Sequence, residues 1–439
     1  MKRITLLILS LLLLFFSGCP MPVVKGTQAQ SDPAARVWTI MIYMAADNEL
    51  EVEAIANFNE LEALDLNGAP ISIIVLLDRS PQHDTTNGNW TDTRVFEIKS
   101  DPAGLTPIMK SPRLDVPEMG LSLNSETNLN TADWRVLSNF INFGKRAYPA
   151  ENYALFMWGH GVGWRGLAVD DSSMQYMSLP SFRQAISGKG LSLIGFDTCF
   201  GAVLEAAYEI RGEAEVFVGS QGAIMAAGWD YHTLFTNFLQ KPVLGAWDLA
   251  ASIQYQFSKR YSQVASATIS QIKLSEISNL FNKFNAFAGT VAEAIETNVS
   301  RQLVLEHILL NVEKHNSTYV FSDMYIDIQD FSNKIAAIRT GITDVAVKQN
   351  AIETAAGNLN TALNAAIPFS WARNGTTNKI GVHLTPMQGS VPSSPHAQGY
   401  TRGNMFLGQS MFVENAVNWA PNTIPQNNSF LDKLFYWAF

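Results

Sequence analysis

Apolar residues along this chain follow two alternating rhythms. Residues 36–44 form a compact apolar run containing Trp38, Ile40, Ile42 and Met44, the profile of a strand buried on both faces. Asp47 and Asn48 then offer caps for a helix to about residue 64, in which Leu50, Ala54, Phe58 and Leu61 recur at helical spacing. Residues 71–77 predict a second buried strand, and the alternating stretch 90–98 predicts part of a hairpin. Pro, Ser and Asn crowd residues 100–130, which read as a long irregular connection. Thr131-Ala132-Asp133 opens a helix to about residue 147, with Trp134, Leu137, Phe140 and Ile141 on one face. Buried strands follow at 153–158, 191–196 and 216–219. From about Thr233 the pattern is largely helical, with isolated strands near 265–272, 319–328 and 380–384.

Strands alternating with helices across short links imply an α/β fold, a mostly parallel central sheet with helices on both faces. The pattern places a core over 37–240 and a mainly helical C-terminal part over 241–439. Whether that part packs on the same core or stands alone is left open by the pattern.

Ahead of this body, Lys2 and Arg3 precede an apolar run over residues 4–16, and Ser17-Gly18 precedes Cys19. This is the layout of a secretory signal over residues 1–18, too short for an ordinary spanning helix. The residues before Cys19 resemble the lipobox of bacterial lipoproteins, with Phe16 where Leu is commoner. The resemblance implies cleavage before Cys19, acylation of its thiol and new amino group, and export to the cell envelope on a membrane lipid anchor. A plain signal with an incidental cysteine is the alternative. Residues 19–36 lack periodicity and read as a flexible tether. An apolar content of 47% excludes a disordered chain, and a net charge of −9 argues against nucleic acid as a partner.

Cysteine usage narrows the chemistry. The chain has 2 cysteines, so acylation of Cys19 leaves Cys199 without an intramolecular partner and excludes a disulfide framework. A lone thiol in an exported protein needs burial or a task. The strand expected at 153–158 runs into Gly159-His160-Gly161, and that at 191–196 into Asp197-Thr198-Cys199. Ligands of open parallel sheets bind at the carboxyl ends of the strands, so an imidazole and a thiol share the expected edge. Such a pair suits nucleophilic catalysis: the imidazole generates the thiolate and later protonates the leaving amine. The N–H groups of Gly161 and Cys199 are candidates for holding an oxyanion. A His beside Gly is also commonly a packing or capping residue, and a lone Cys an inert small hydrophobe. Spacing alone leaves both readings open.

The residues around the pair carry a resemblance. The run from Tyr148 through Trp158-Gly159-His160-Gly161-Val162-Gly163-Trp164 is similar to the histidine motif of the clostripain family of cysteine peptidases. Ile194-Gly195-Phe196-Asp197-Thr198-Cys199-Phe200-Gly201 is similar to that family's cysteine motif. Further matches lie at 38–47, 166–171, Gly228-Trp229-Asp230-Tyr231, Tyr325-Ile326-Asp327 and Lys379-Ile380-Gly381-Val382-His383, so the resemblance covers essentially the mature chain. It implies a caspase-like α/β/α sandwich and a peptide or protein substrate; no cofactor is expected, with calcium the possible exception. By the same resemblance His160 is the general acid/base, Cys199 the nucleophile, and the Gly161 and Cys199 amides the oxyanion hole. The family typically cleaves after Arg or Lys, using acidic side chains in its primary specificity pocket. Asp197 matches one such position and Asp230 is a second candidate, since a buried carboxylate pairs with a guanidinium or ammonium. The other reading of Asp197 is a turn or cap residue. Residues 220–227 depart from the family by lacking an acidic, Pro-Gly-bearing loop. Asp170-Asp171 reads as the end of a turn, with calcium, which some relatives use, as the alternative. His83-Asp84 lies in a polar loop and lacks a second ligand pair at zinc spacing, and His307 and His315 read as surface or packing residues of a helical stretch, so no metal ligands are assigned.

The expected function is therefore an exported, lipid-anchored cysteine endopeptidase that cleaves after Arg or Lys. The competing reading is a catalytically silent peptidase-fold lipoprotein that binds a surface partner. Relatives are often activated by self-cleavage after a basic residue between the two motifs, yet residues 167–181 contain neither Lys nor Arg. Active protein should accordingly run as one intact chain on a denaturing gel. Two fragments divided near residue 175 would refute this.

Overall fold

In the computed structural model, the described residues are 36–384 except 102–107, 125, 242, 317–323 and 374–379, together with 387–388, 391–392, 415 and 430–431. The expected signal peptide, Cys19 and nearly all of the tether lie outside the described residues. The first half of the chain forms β1 (Trp38–Ala46), α1 (Glu51–Glu62), β2 (Ile71–Arg79), β3 (Thr93–Glu97), α2 (Trp134–Ala147), β4 (Asn152–Trp158), β5 (Gly166–Asp170), β6 (Gln175–Ser178), α3 (Leu179–Ile186), β7 (Leu193–Asp197), α4 (Leu204–Glu209) and β8 (Val216–Gly219). There follow α5 (Tyr231–Leu239), α6 (Ala246–Arg260), β9 (Thr268–Lys273), α7 (Ile277–Ala294), α8 (Asn298–Asn311), β10 (Lys314–Asn316), β11 (Met324–Asp327), α9 (Ile328–Ala337), α10 (Arg339–Ile342), α11 (Ala346–Ala366), β12 (Phe369–Ala372) and β13 (Gly381–Leu384).

An 8-stranded sheet runs in the order β12-β9-β8-β7-β4-β1-β2-β3. Its middle, from β8 to β2, is parallel, and antiparallel strands close both edges. On β1, Met41, Tyr43 and Ala45 enter the core of one face while Ile40, Ile42 and Met44 enter that of the other. Neither face meets water, which is why this strand reads as a continuous apolar run. Helices α2, α3, α4, α7, α9 and α11 cover the first face, and α1, α5 and α6 the second. The result is a three-layer α/β/α sandwich. Strands β9 and β12, both beyond residue 240, extend this same sheet, and β10, β11 and β13 form a separate 3-stranded sheet. No described helix is long and apolar enough to cross a membrane.

Several local expectations need correction. Asp47 and Asn48 do not cap α1, whose N-cap position is Leu50 with no side-chain cap bond. Asn48 instead turns inward, donating to the carbonyls of Ala45 (3.1 Å) and Val169 (3.0 Å). His315 lies on β10 rather than in a helix. The hairpin of β5 and β6 was hidden in a short, mixed stretch. It divides Asp170 from Asp171: the former is buried and accepts from Ser173 N at 2.8 Å, the turn role expected of it, while the latter is exposed.

Candidate active site

Chain order places the site. From β1 the chain passes to β2 on one side and then returns to β4 on the other, so the topological switch lies between β1 and β4. On the far side of β4, Trp158 pairs in register with Asp197 of β7, and Gly159 N donates to Asp197 O at 3.4 Å. His160 and Cys199 thus each leave the sheet just past one matched pair. Both line a cavity of about 270 Å³ shared with Glu49, Gly161, Asp197, Met225 and Gly228. A larger cavity of about 890 Å³, at the amino ends of β2 and β4, is lined by Arg36, Glu97 and Tyr148 among others and holds neither His nor Cys.

The histidine loop is tied down by its backbone. Ala168 N donates to His160 O (3.1 Å) and Val162 N to Gly166 O (2.9 Å). The ring pairs through Nε2 with Glu49 Oε1 at 3.1 Å, a contact that fixes its orientation. Glu49 was missed in the sequence, although its place just after β1 at the switch point was a usable signal. At Gly161 a Cβ would fall 2.1 Å from Cys199 O, so only glycine lets the two loops pack backbone to backbone. The expected oxyanion donors, Gly161 and Cys199, therefore sit on touching segments.

The cysteine loop is strained and braced. Phe200 holds φ at 52°, a left-handed conformation that costs a bulky residue about 1–2 kcal/mol. Its N–H donates to Gly222 O at 3.0 Å, and its ring stacks on Tyr325 with centroids 5.0 Å apart. Tyr325 also spans to the histidine loop, its hydroxyl accepting from Trp164 N at 3.2 Å. The partly buried Cys199 Sγ accepts from Ile224 N at 3.4 Å and donates to Ile224 O at 3.7 Å. Burial pushes the thiol above its ordinary value, with the Ile224 contact acting the other way.

Asp197 lines the same cavity. Its buried carboxylate accepts from Trp229 N (2.9 Å) and from the Tyr231 hydroxyl (3.0 Å), and it caps no helix, since the N-cap of α4 is Val203. Burial raises it to about 7, against these hydrogen bonds. Asp230 does not join it. Its carboxylate caps α5, accepting from Thr233 N and Oγ1, and it is not among the residues lining the cavity. The Gly228-Trp229-Asp230-Tyr231 match makes it a candidate, whereas the cap bonds that side chain to Thr233. Asn57 of α1, unremarked in the sequence, bonds Trp158 Nε1 (2.9 Å) and the carbonyls of Ala227 and Trp229, and so fixes the turn that walls the cavity.

The clostripain family model (peptidase C11) matches residues 42–378. The chain belongs to the clostripain family. A clostripain of Hathewaya histolytica is 28% identical over 227 residues, 45% of this chain and 41% of that protein, so the match spans less than half of that relative's length. Among solved structures, an inactive zymogen C11 protease from Parabacteroides distasonis superposes with a TM-score of 0.58 at 18% identity, covering 81% of this chain and 93% of the other. A secreted C11 cysteine protease from Bacteroides thetaiotaomicron, in complex with an irreversible peptide inhibitor, gives 0.58 at 16% identity, covering 86% and 99%. These likenesses establish the caspase-like fold of this clostripain-family chain.

The state of Asp197 has a measurable consequence. Its folded value of about 7 lies above the ordinary 3.8, so the folded chain holds the extra proton and loses stability as pH rises from about 4 to 7. Asp197→Asn removes that burden and should be more stable than wild type at pH 8 by on the order of 2 kcal/mol. The gap should close toward pH 4. Denaturation curves at both pH values that show no difference, or a gap growing on acidification, would contradict the assignment.

Proposed function

We propose that this protein is an exported, lipid-anchored cysteine endopeptidase that cleaves after Arg or Lys. One observation carries the reading: His160, Cys199 and the buried Asp197 line a single cavity. On this reading a peptide displaces the Ile224 contacts and His160 takes the Sγ proton. The sulfur then bonds to the scissile carbonyl carbon, and the oxygen's charge is held by the N–H groups of Gly161 and Cys199. The C–N bond breaks as His160 protonates the amine. Water then hydrolyses the thioester and restores the thiol. Glu49 orients the imidazole during both transfers. Asp197, ionised by the arriving cation, pairs with the substrate's guanidinium or ammonium.

A second reading, binding without turnover, draws on the Cys199 thiol itself, which is held by both backbone groups of Ile224 and biased toward its protonated form.

Fluorogenic arginyl and lysyl peptides separate the two. Cys199→Ala and His160→Ala should each lower kcat/KM by more than about a thousandfold. Equal turnover by wild type and both variants would exclude the dyad. Wild-type preference for a basic over a neutral substrate should also fall as pH drops below about 7, where Asp197 gains its proton. A preference constant across pH 5–8 would remove Asp197 from the pocket's recognition chemistry.

Export on a lipid anchor rests on the sequence around Cys19. Cys19→Ser should move the protein from the membrane pellet to the soluble fraction, and an unchanged distribution would reject the anchor.

A further inference from the structure

The turn over residues 227–231 draws little on its own backbone. Gly228 N donates to Met225 O at 3.0 Å. Other backbone groups of the turn are held by side chains from α1 and α6. Asn57 of α1 donates to the carbonyls of Ala227 (3.2 Å) and Trp229 (3.3 Å), and Glu60 accepts from Tyr231 N at 3.0 Å. From α6, Gln256 accepts from Asp230 N at 2.8 Å, and the hydroxyl of Tyr261, at the helix end, donates to Gly228 O. The turn in its place supplies Trp229 N and the Tyr231 hydroxyl to Asp197. At Gly228, where φ is +59°, a Cβ would lie 2.8 Å from Asp197 Oδ2, so the turn rests directly on that carboxylate.

One ion pair crosses this bracket. Arg260 Nη1 meets Glu60 Oε1 at 3.0 Å, with the two side chains 24% and 26% exposed. Glu60 also accepts from Asn57 Nδ2 at 3.1 Å, so a single carboxylate joins both helices to the turn. Ion pairs near the surface add little stability, and what distinguishes this one is where its charges fall. The titratable groups facing Asp197 are Glu60 from α1, Tyr231 from α5, Arg260 and Tyr261 from α6, and Cys199 from its own loop. Burial raises Asp197 most, and the bonds from Trp229 and Tyr231 oppose it. Of the ion-pair partners, Arg260 lowers it and Glu60 raises it.

We propose, resting on the reading of Asp197 as the partner of a basic side chain, that Arg260 and Glu60 are positioning residues for that recognition. Together they fix the turn against Asp197, and their two charges set how readily that carboxylate pairs with an arriving cation. Residues 220–227 bring no acidic side chain to the turn, so Asp197 depends on these neighbours for the expression of its charge. The two partners share one bond but act on Asp197 with opposite signs. Loss of the guanidinium leaves Glu60 to oppose ionisation of Asp197, whereas loss of the Glu60 charge leaves Arg260 to favour it.

Two readouts test this, one of them without turnover. The first is the pH at which preference for an arginyl over a neutral peptide falls to half. Arg260→Gln should move it up by about half a pH unit, and Glu60→Gln should move it down. Arg260→Lys should keep the wild-type value, and the changes should fall on KM more than on kcat. The second readout is the stability gained at pH 8 by Asp197→Asn. That gain should be larger in the Arg260→Gln background and smaller in the Glu60→Gln background. A brace that mattered only for shape would shift both variants the same way, since each breaks the same bond. Shifts of one sign, or none in either variant, overturn the inference, as does Arg260→Lys behaving like Arg260→Gln. Should one glutamine variant fail to fold, the sign shown by the other still decides. A wild type without basic preference would defeat the reading of Asp197, while the stability gains would judge the coupling separately.

Discussion

The site depends on the parallel register between β4 and β7. Trp158 lies opposite Asp197, so the two loops that follow leave the sheet side by side. Register in a sheet buried on both faces is strongly specified, since a slip of one residue would exchange the side chains of the two cores. On β4 the exchange would drive Phe156 out of its cluster with Trp229, Tyr231 and Phe235 and into the space of Leu155 and Met157. Burying a large aromatic correctly is worth several kcal/mol, far more than any loop contact. The core therefore sets the approach of His160 and Cys199, and the loops refine it.

Refinement comes from the far end of the chain. Tyr325 on β11 touches both loops, stacking on Phe200 and bonding Trp164 N. Gly381 N donates to Ala202 O, and Gln221 reaches Asp327 at 3.1 Å. His383 is fully buried between Trp164 and Tyr325. The C-terminal sheet thus clamps the strained turn at Phe200, alongside the Gly222 carbonyl that holds its N–H. Strain at a reactive position persists only where surrounding packing over-determines it, and here the ring contact that does so, from Tyr325, lies more than a hundred residues away in sequence.

What was legible in the sequence follows from this division. Strands buried on both faces, such as β1 and β4, announced themselves as apolar runs, and their ends located His160 and Cys199. Hydrogen-bonding roles were less visible. Asp197 and Asp230 are both carboxylates near aromatic residues, yet one faces the cavity and the other caps α5; the difference lies in backbone direction, which composition does not carry. Asn48 looked like a helix cap because Asn favours that position, but tertiary acceptors at Ala45 and Val169 claimed it. The β5–β6 hairpin escaped notice because its strands are short and one of them is exposed and polar. Tyr325 could be flagged by resemblance, but its contacts could not, since they join segments with no local pattern in common.

The acidic character of the chain also acquires a location. Glu49, Asp197 and the group of Asp47, Asp78 and Asp170 all lie at or near the carboxyl ends of the strands, where low-dielectric walls strengthen their field. Asp197 is the instructive case. In the free protein burial raises it to about 7 and so disfavours its charged form, and the fold carries the cost. A cation entering the cavity would complete the ionisation and exchange a solvation loss for a paired charge. Recognition on the proposed reading would thus be coupled to release of a proton, and the affinity for a basic side chain would be drawn from a penalty that folding had already incurred. A carboxylate fully exposed at the rim could not act this way, because water would have satisfied it beforehand.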